Sequence, residues 1–244
     1  MSTVRVTFPS GRELAEVPPG TLDVDVRRLY EHPPGTVRLN LIASSDGKAA
    51  GPDGSSRSIN GPADVRVLKA IRSWADAVLV GAGTARAERY TDVRVSPAVA
   101  AAREALGQAP QPALAIVTRS GTVPEGLSPA STWILAPASS PAAGGLDDTW
   151  RSRLILAGDA LVDASAAIAA LRARGMSRIV CEGGPRLASS LLDAGRVDEF
   201  CLTRSPLPGG ESADALPPVP AHMVLAHRLE AEGFAMERWV TLAQ

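Results

Sequence analysis

Cysteine is scarce, neither sign of charge is in excess, and no long apolar run occurs in this 244-residue sequence. Each shortage excludes something. The two cysteines, Cys181 and Cys201, sit inside strand-like runs, where a reduced thiol behaves as a small hydrophobe, so a disulfide framework is not indicated. The formal net charge is −1, and the arginines are scattered among acids with no basic stripe, which argues against nucleic acid as a partner. No stretch approaches the roughly 20 apolar residues of a membrane span, and the opening Met1-Ser2-Thr3-Val4-Arg5-Val6 has no apolar signal core. The expectation is a cytoplasmic protein acting on a small molecule, with any bound anion held locally.

The composition holds the making of one sizeable core: 45% apolar and 21% charged residues. Residues 1–36 are the least regular, with an edge strand over 3–8 and five prolines breaking up the stretch from there to residue 36. Beyond it, strands are expected over 37–43, 77–80, 113–117, 132–135, 154–156, 178–181 and 199–203. Helices are expected over 62–73, 97–106, 165–174 and 185–194. The first helix rests on Val65, Leu68 and Ile71 and on Pro62 at its opening turn. Short apolar strands alternating with helices predict an α/β fold: a mainly parallel sheet covered on both faces. Two late strands, over 223–226 and 234–242, lack a helix between them and predict an antiparallel edge. The Pro-, Ala- and Gly-rich segment 137–148 reads as a surface loop, so the expectation is a single domain over 1–244, with 1–36 packed on its core. The histidines His32, His222 and His227 lack the company of a zinc-ligand cluster, and no metal is expected.

Two strand ends carry glycine pairs. In Ile179-Val180-Cys181-Glu182-Gly183-Gly184-Pro185 a buried strand ends, two glycines turn the chain, and Pro185 takes the first helical position. Open N–H groups and absent side chains there suit a diphosphate, although a plain tight turn fits the same residues. Gly81-Ala82-Gly83-Thr84 is a second such edge, read as a loop. It departs from Gly-x-Gly-x-x-Gly because Arg86 stands at the third glycine's place, which disfavours the usual dinucleotide domain. Thr118-Arg119-Ser120 comes after another strand; two hydroxyls and a guanidinium suit a phosphomonoester, and a lone surface arginine is the plainer alternative. Glycine edges on one sheet point to an elongated ligand across the strands' carboxyl ends.

Residues 37–48, Asn60-Gly61-Pro62-Ala63-Asp64, Ile71-Arg72, residues 75–84, residues 180–187 and Val197-Asp198-Glu199 together resemble the reductase domain of bacterial riboflavin biosynthesis proteins. The ordered motifs extend over residues 37 to about 210. The resemblance implies a dihydrofolate reductase-like fold, NADPH as cofactor, a homodimer, and hydride transfer to a ribosylamino-pyrimidine phosphate. It implies that Gly81, Gly83 and Thr84 line the nicotinamide and diphosphate region. Gly183, Gly184 and Pro185 would hold diphosphate, and Thr118, Arg119 and Ser120 the 2′-phosphate. Asp46 would stand at the mouth of the substrate pocket, Asn40 inside it and Glu182 at the substrate's polar edge, these three being the catalytic candidates.

The segment after Thr84 departs from the family's pattern. Where relatives carry two acids and a proline, this chain has Glu88, Arg89 and Tyr90, with Arg94 shortly after. These four are the candidate substrate contacts, with Arg89 suited to a phosphate or a folate tail and Tyr90 to covering a ring. The zinc deaminase signature that often accompanies the reductase is missing from the sequence. Pteridine or dihydrofolate reduction is therefore one alternative, and nucleotide binding without chemistry is another.

Overall fold

A computed structural model describes residues 4–9, 11–15, 17–18, 20–141 and 146–242. In chain order its elements are β1 (Val4–Phe8), β2 (Arg12–Leu14), α1 (Val24–Leu29), β3 (Val37–Ala43), α2 (Pro62–Arg72), β4 (Ala77–Gly81) and α3 (Ala82–Ala87). Next come α4 (Pro97–Glu104), β5 (Ala113–Val117), β6 (Thr132–Ala136), α5 (Asp148–Arg151), β7 (Leu154–Leu156) and α6 (Ala164–Arg172). The last are β8 (Ile179–Cys181), α7 (Pro185–Asp193), β9 (Glu199–Arg204), β10 (Met223–Ala231) and β11 (Phe234–Thr241).

All these strands join one sheet, in the order β2-β1-β10-β11-β9-β3-β8-β4-β5-β6-β7. From β9 to β7 every pairing is parallel; β11, β10, β1 and β2 add an antiparallel edge. This is the mixed, mainly parallel, dihydrofolate reductase-like layout that the resemblance implies. The uninterrupted apolar runs are explained by burial on both faces. In β4, Val78 and Val80 pack with Val67 and Ile71 of α2 on one face, while Ala77 and Leu79 pack with Ile168 and Leu171 of α6 on the other. Cys181 and Cys201 are buried free thiols, and burial pushes their pKa values up to about 12 and about 11, so both stay protonated.

Three local expectations are corrected. The buried face of α2 is Ala63, Val67, Ala70 and Ile71, not the Val65 and Leu68 stripe; Leu68 faces a cleft instead. The stretch beginning at Ala82 is helical, with Ala82 and Ala85 buried, so Gly83 lies in a first helical turn and not in a loop. Residues before 37 are less irregular than expected: Val4, Val6 and Leu14 are buried, and β1 pairs with β10 through Arg5↔Glu230 and Val6↔Leu229. β1 is the strand expected over 3–8, but β2 covers its outer side, and a strand of three residues such as β2 carries too few alternations to be read from sequence. Residue 3 of the expected first strand, residues 1, 2, 10, 16 and 19 of the expected extension, and 142–145 of the expected loop lie outside the described residues.

A buried ion network ties the N-terminal segment to the sheet. Glu199 accepts from Arg38 Nε at 2.7 Å and from Arg238 Nη2 at 2.7 Å, and Arg38 also donates to the carbonyl oxygens of Tyr30 and Glu31. Burial alone would raise the Glu199 pKa, but the two guanidinium partners outweigh it and hold the carboxyl below its usual range.

Candidate active site

The carboxyl ends of β3, β8, β4 and β5 lie side by side and open into one cleft of about 1580 Å³. Crevices at strand carboxyl ends are where open α/β sheets hold ligands. Asn40, Leu41 and Ile42 of β3 line it, with the loops at 49–57 and 209–214 on one side.

The two glycine edges meet at its floor. Gly81 N donates to Gly183 O at 2.9 Å, and Gly184 N donates to Thr84 Oγ1 at 2.9 Å. Gly183 has φ +110°, where a side chain is strained, and a Cβ on Gly184 would stand 2.7 Å from Thr84 Oγ1. By contrast, a Cβ on Gly83 would meet nothing within 4 Å. Gly184 caps α7 without any side-chain hydrogen bond, and Pro185 occupies the first turn. The first-turn N–H groups of Arg186 and Leu187, two residues that line the cleft, are thus left for an anion.

Thr118, Arg119 and Ser120 border the cleft beyond β5. Thr118 Oγ1 accepts from Gly121 N at 3.1 Å and Ser120 Oγ donates to Thr122 Oγ1 at 3.1 Å, so the hydroxyls are partly engaged in their own turn. Arg119 is exposed and has no side-chain partner among the described residues. The same holds for Arg86, Arg89 and Arg186, which also face the cleft. These four unpaired guanidinium groups are free to meet a phosphate, although the same lining carries the unpaired acids Asp64, Glu211 and Asp214.

Glu182 is not a free acid. It accepts from Arg72 Nε at 2.7 Å, from Arg72 Nη2 at 2.5 Å and from the Tyr90 hydroxyl at 2.6 Å. Burial pulls the Arg72 pKa down, but the Glu182 charge and hydrogen bonds more than reverse this and leave it raised. Burial, then the Glu182 charge, pushes the Tyr90 pKa well up. The three form a fixed polar wall, with the Tyr90 hydroxyl fastened to Glu182 although the residue still borders the cleft. Glu88 is likewise occupied: it accepts from Ser56 N at 2.6 Å and pairs with Arg57 at 3.6 Å, holding the 49–57 loop against α3.

Two expected site residues do not themselves line the cleft, although each is bonded to a residue that does. Asp46 is exposed and off the cleft, accepting from Ser44 Oγ at 2.7 Å and from Gly209 N at 2.8 Å. The Ser44 bond, then the Gly209 bond, lowers its pKa, which makes it a poor proton donor. Arg94 is also off the cleft, its side chain 81% exposed and paired with Asp92 at 2.5 Å. Asn40 is inside, half-buried, without a side-chain hydrogen bond among the described residues. Sequence reasoning did not single out Asn60 or Asp64, which also face the cleft. Their signal was present in the opening of α2, but there it reads as helix-start chemistry.

The RibD C-terminal domain family matches residues 35–229. The chain belongs to this family. A relative from Methanothermobacter thermautotrophicus, a 2,5-diamino-6-ribosylamino-4(3H)-pyrimidinone 5′-phosphate reductase, is 30% identical over 74% of this chain and 82% of its own length. One of the same description from Archaeoglobus fulgidus is 28% identical over 70% of this chain and 80% of the relative. Among solved structures, a pyrimidine reductase-like protein from Corynebacterium diphtheriae superposes with a TM-score of 0.73 at 25% identity, covering 86% of this chain and 93% of that one. Among the described residues no group of three His, Cys, Asp or Glu is placed to hold a metal, and no helix is long and apolar enough to cross a membrane.

Proposed function

We propose that this RibD C-terminal domain is an NADPH-dependent reductase of a ribosylamino-pyrimidine phosphate. The observation that carries this reading is the interlock of Gly81, Gly183, Gly184 and Thr84 beneath the open start of α7, ringed by four unpaired arginines. A Cβ at Gly184 would press on Thr84 Oγ1, so the turn closes only on a glycine, and the open N–H groups at the start of α7 with the arginines near them suit a dinucleotide phosphate. NADPH supplies a hydride when bound. Gly183, Gly184 and the first turn of α7 hold the diphosphate, and Pro185 starts that turn without consuming an N–H. Arg119, with Thr118 and Ser120, takes the 2′-phosphate. Arg89, at φ 51° on the exposed rim, takes the phosphate of the substrate. The Arg72–Glu182–Tyr90 wall is already satisfied, so it orients the substrate ring without rearranging.

The substrate class comes from the two relatives named above. A homodimer, a cytoplasmic location and one reductase domain over 1–244 belong to the same proposal. The test is to follow loss of reduced-nicotinamide absorbance with NADPH and 2,5-diamino-6-ribosylamino-4(3H)-pyrimidinone 5′-phosphate. NADPH oxidation that requires the pyrimidine is the expected result. Absence of NADPH binding in a direct titration would overturn the reading.

A further inference from the structure

Residues 1–34 lie outside the stretch that the family matches, yet they are fastened to the helix that forms one wall of the cleft. That helix, α2, presents three faces. Ala63, Val67, Ala70 and Ile71 turn inward to the sheet, while Asp64, Leu68 and Arg72, spaced four residues apart, line the cleft. Arg66 and, just past the end of α2, Ser73 meet the N-terminal segment. The inward contact is apolar and so non-directional: it holds α2 close to the sheet and leaves its rotation to directional bonds.

Those bonds come from the N-terminal segment. Arg66 Nε donates to Asp23 Oδ2 at 2.5 Å, and Arg66 Nη2 donates to the carbonyl oxygen of Ala15 at 2.6 Å. The Asp23 and Arg66 side chains are each only 14% exposed, which spares the pair much of the screening that weakens surface ion pairs. Asp23 Oδ1 also accepts from Val26 N at 3.1 Å and caps α1, so one carboxylate ties the start of α1 to the middle of α2. Beyond the end of α2, Arg27 Nε donates to Ser73 Oγ at 3.0 Å and Trp74 Nε1 donates to the Arg27 carbonyl oxygen at 2.8 Å. α1 is itself anchored to the sheet. Val26 and Tyr30 are buried, and the carbonyl oxygens of Tyr30 and Leu29 accept from Arg38 of β3 and Arg238 of β11.

Arg72 lies six residues beyond Arg66, about 9 Å further along the helix axis. Its paired bonds to Glu182 need both groups in register, and Tyr90 joins the same carboxylate. A planar guanidinium fork tolerates little misalignment, so a turn or slide of α2 loosens it. We propose that Arg66 is a positioning residue: pinned by Asp23 and Ala15, it fixes the rotation of α2 and with it the aim of Arg72 at Glu182, which makes the N-terminal segment a working part of the cleft. The effect on turnover rests on the reductase reading of the cleft; the effect on Arg72 does not.

The experiment compares wild type with Arg66→Met, which keeps the apolar stem and loses the donors, with Asp23→Ser, which keeps a cap for α1 and is too short to reach Arg66, and with the double variant. Arg12→Ala, which breaks the exposed Arg12–Asp25 pair of the same segment, is the control. NMR follows hydrogen exchange at the Arg72 Nε–H, identified by its loss in Arg72→Lys; steady-state assays with NADPH and the ribosylamino-pyrimidine phosphate give kcat/KM; urea midpoints record stability. Arg66→Met and Asp23→Ser should each speed the Arg72 exchange by about 3- to 10-fold, the protection one hydrogen bond gives. Both should lower kcat/KM, by up to about 100-fold, the scale of a misplacement of about 1 Å. The double variant should match Arg66→Met alone, because both changes cut the same tie. Arg12→Ala should move none of these readings. Unaltered Arg72 exchange in both single variants overturns the assignment, as do additive losses in the double variant or an Arg12→Ala that matches them. If wild type reduces no pyrimidine, the reductase reading fails while the Arg72 exchange still decides the role of Arg66.

Discussion

Arg72 grips Glu182 with two hydrogen bonds, Nε to Oε1 at 2.7 Å and Nη2 to Oε2 at 2.5 Å, although the residues are 110 positions apart. Only 4% of the Glu182 side chain is exposed. Removing one member therefore strands a buried charge. Arg72→Ala should cost about 3–5 kcal/mol of stability by urea denaturation, while Glu182→Gln, which keeps the shape, should cost clearly less. Equal and small losses would show that the pair is better solvated than its geometry indicates.

The contact between Gly184 and Thr84 predicts a coupled pair. A methyl group on Gly184 would press on Thr84 Oγ1, the atom that accepts the Gly184 N–H. Gly184→Ala should lower both stability and NADPH affinity, and Thr84→Ala should relieve part of the stability loss. A double-mutant cycle should give a coupling of about 0.5–3 kcal/mol, as for residues in direct contact. Strict additivity would mean the two edges do not constrain each other.

Arg119 tests the assignment of the 2′-phosphate. Its guanidinium is exposed and unpaired, so Arg119→Ala should disturb little of the fold. Fluorescence titration should show NADPH affinity falling about ten-fold, with NADH nearly unchanged, since a charge-assisted bond is lost to one cofactor only. Equal losses for both cofactors would place the phosphate elsewhere on the rim.

His32 and His227 predict the acid limit of stability. Burial comes first among the causes that lower their pKa values, with nearby arginines next, to about 3 and about 4. Both are therefore neutral in the fold but protonate in the unfolded chain near pH 6.5. The unfolded state binds the extra protons, so stability falls as pH drops from about 6.5 towards 4, by up to about 1.4 kcal/mol per pH unit for each histidine. Glu199, with its pKa held down, adds a further loss once the unfolded carboxylates begin to protonate. Chemical denaturation across pH 4–7 checks this: His32→Leu should flatten the slope, and an unchanged slope would remove His32 from the account.

Sequence by itself determined the strands of the central sheet, the helix that starts at Pro185 and the two glycine edges. These arise from local causes: runs of apolar residues, proline at a first turn, and glycines where a backbone must turn closely. It also placed the cleft, because strand ends next to one another share a carboxyl edge. Tertiary structure alone decided which polar groups are free to meet a ligand. Tyr90 and Glu182, 92 positions apart, become one fixed wall, so a residue read as covering a ring has its hydroxyl fastened. Asp46, read at the pocket mouth, is spent on Gly209, 163 positions away. Asp64, which in sequence is an ordinary acid in a helix's first turn, faces the cleft because α2 lies on the sheet face that carries Ile42. Local pattern sets where backbone turns and buries, while the partners of a charged side chain come from distant segments, and only the packed fold brings them within hydrogen-bond reach.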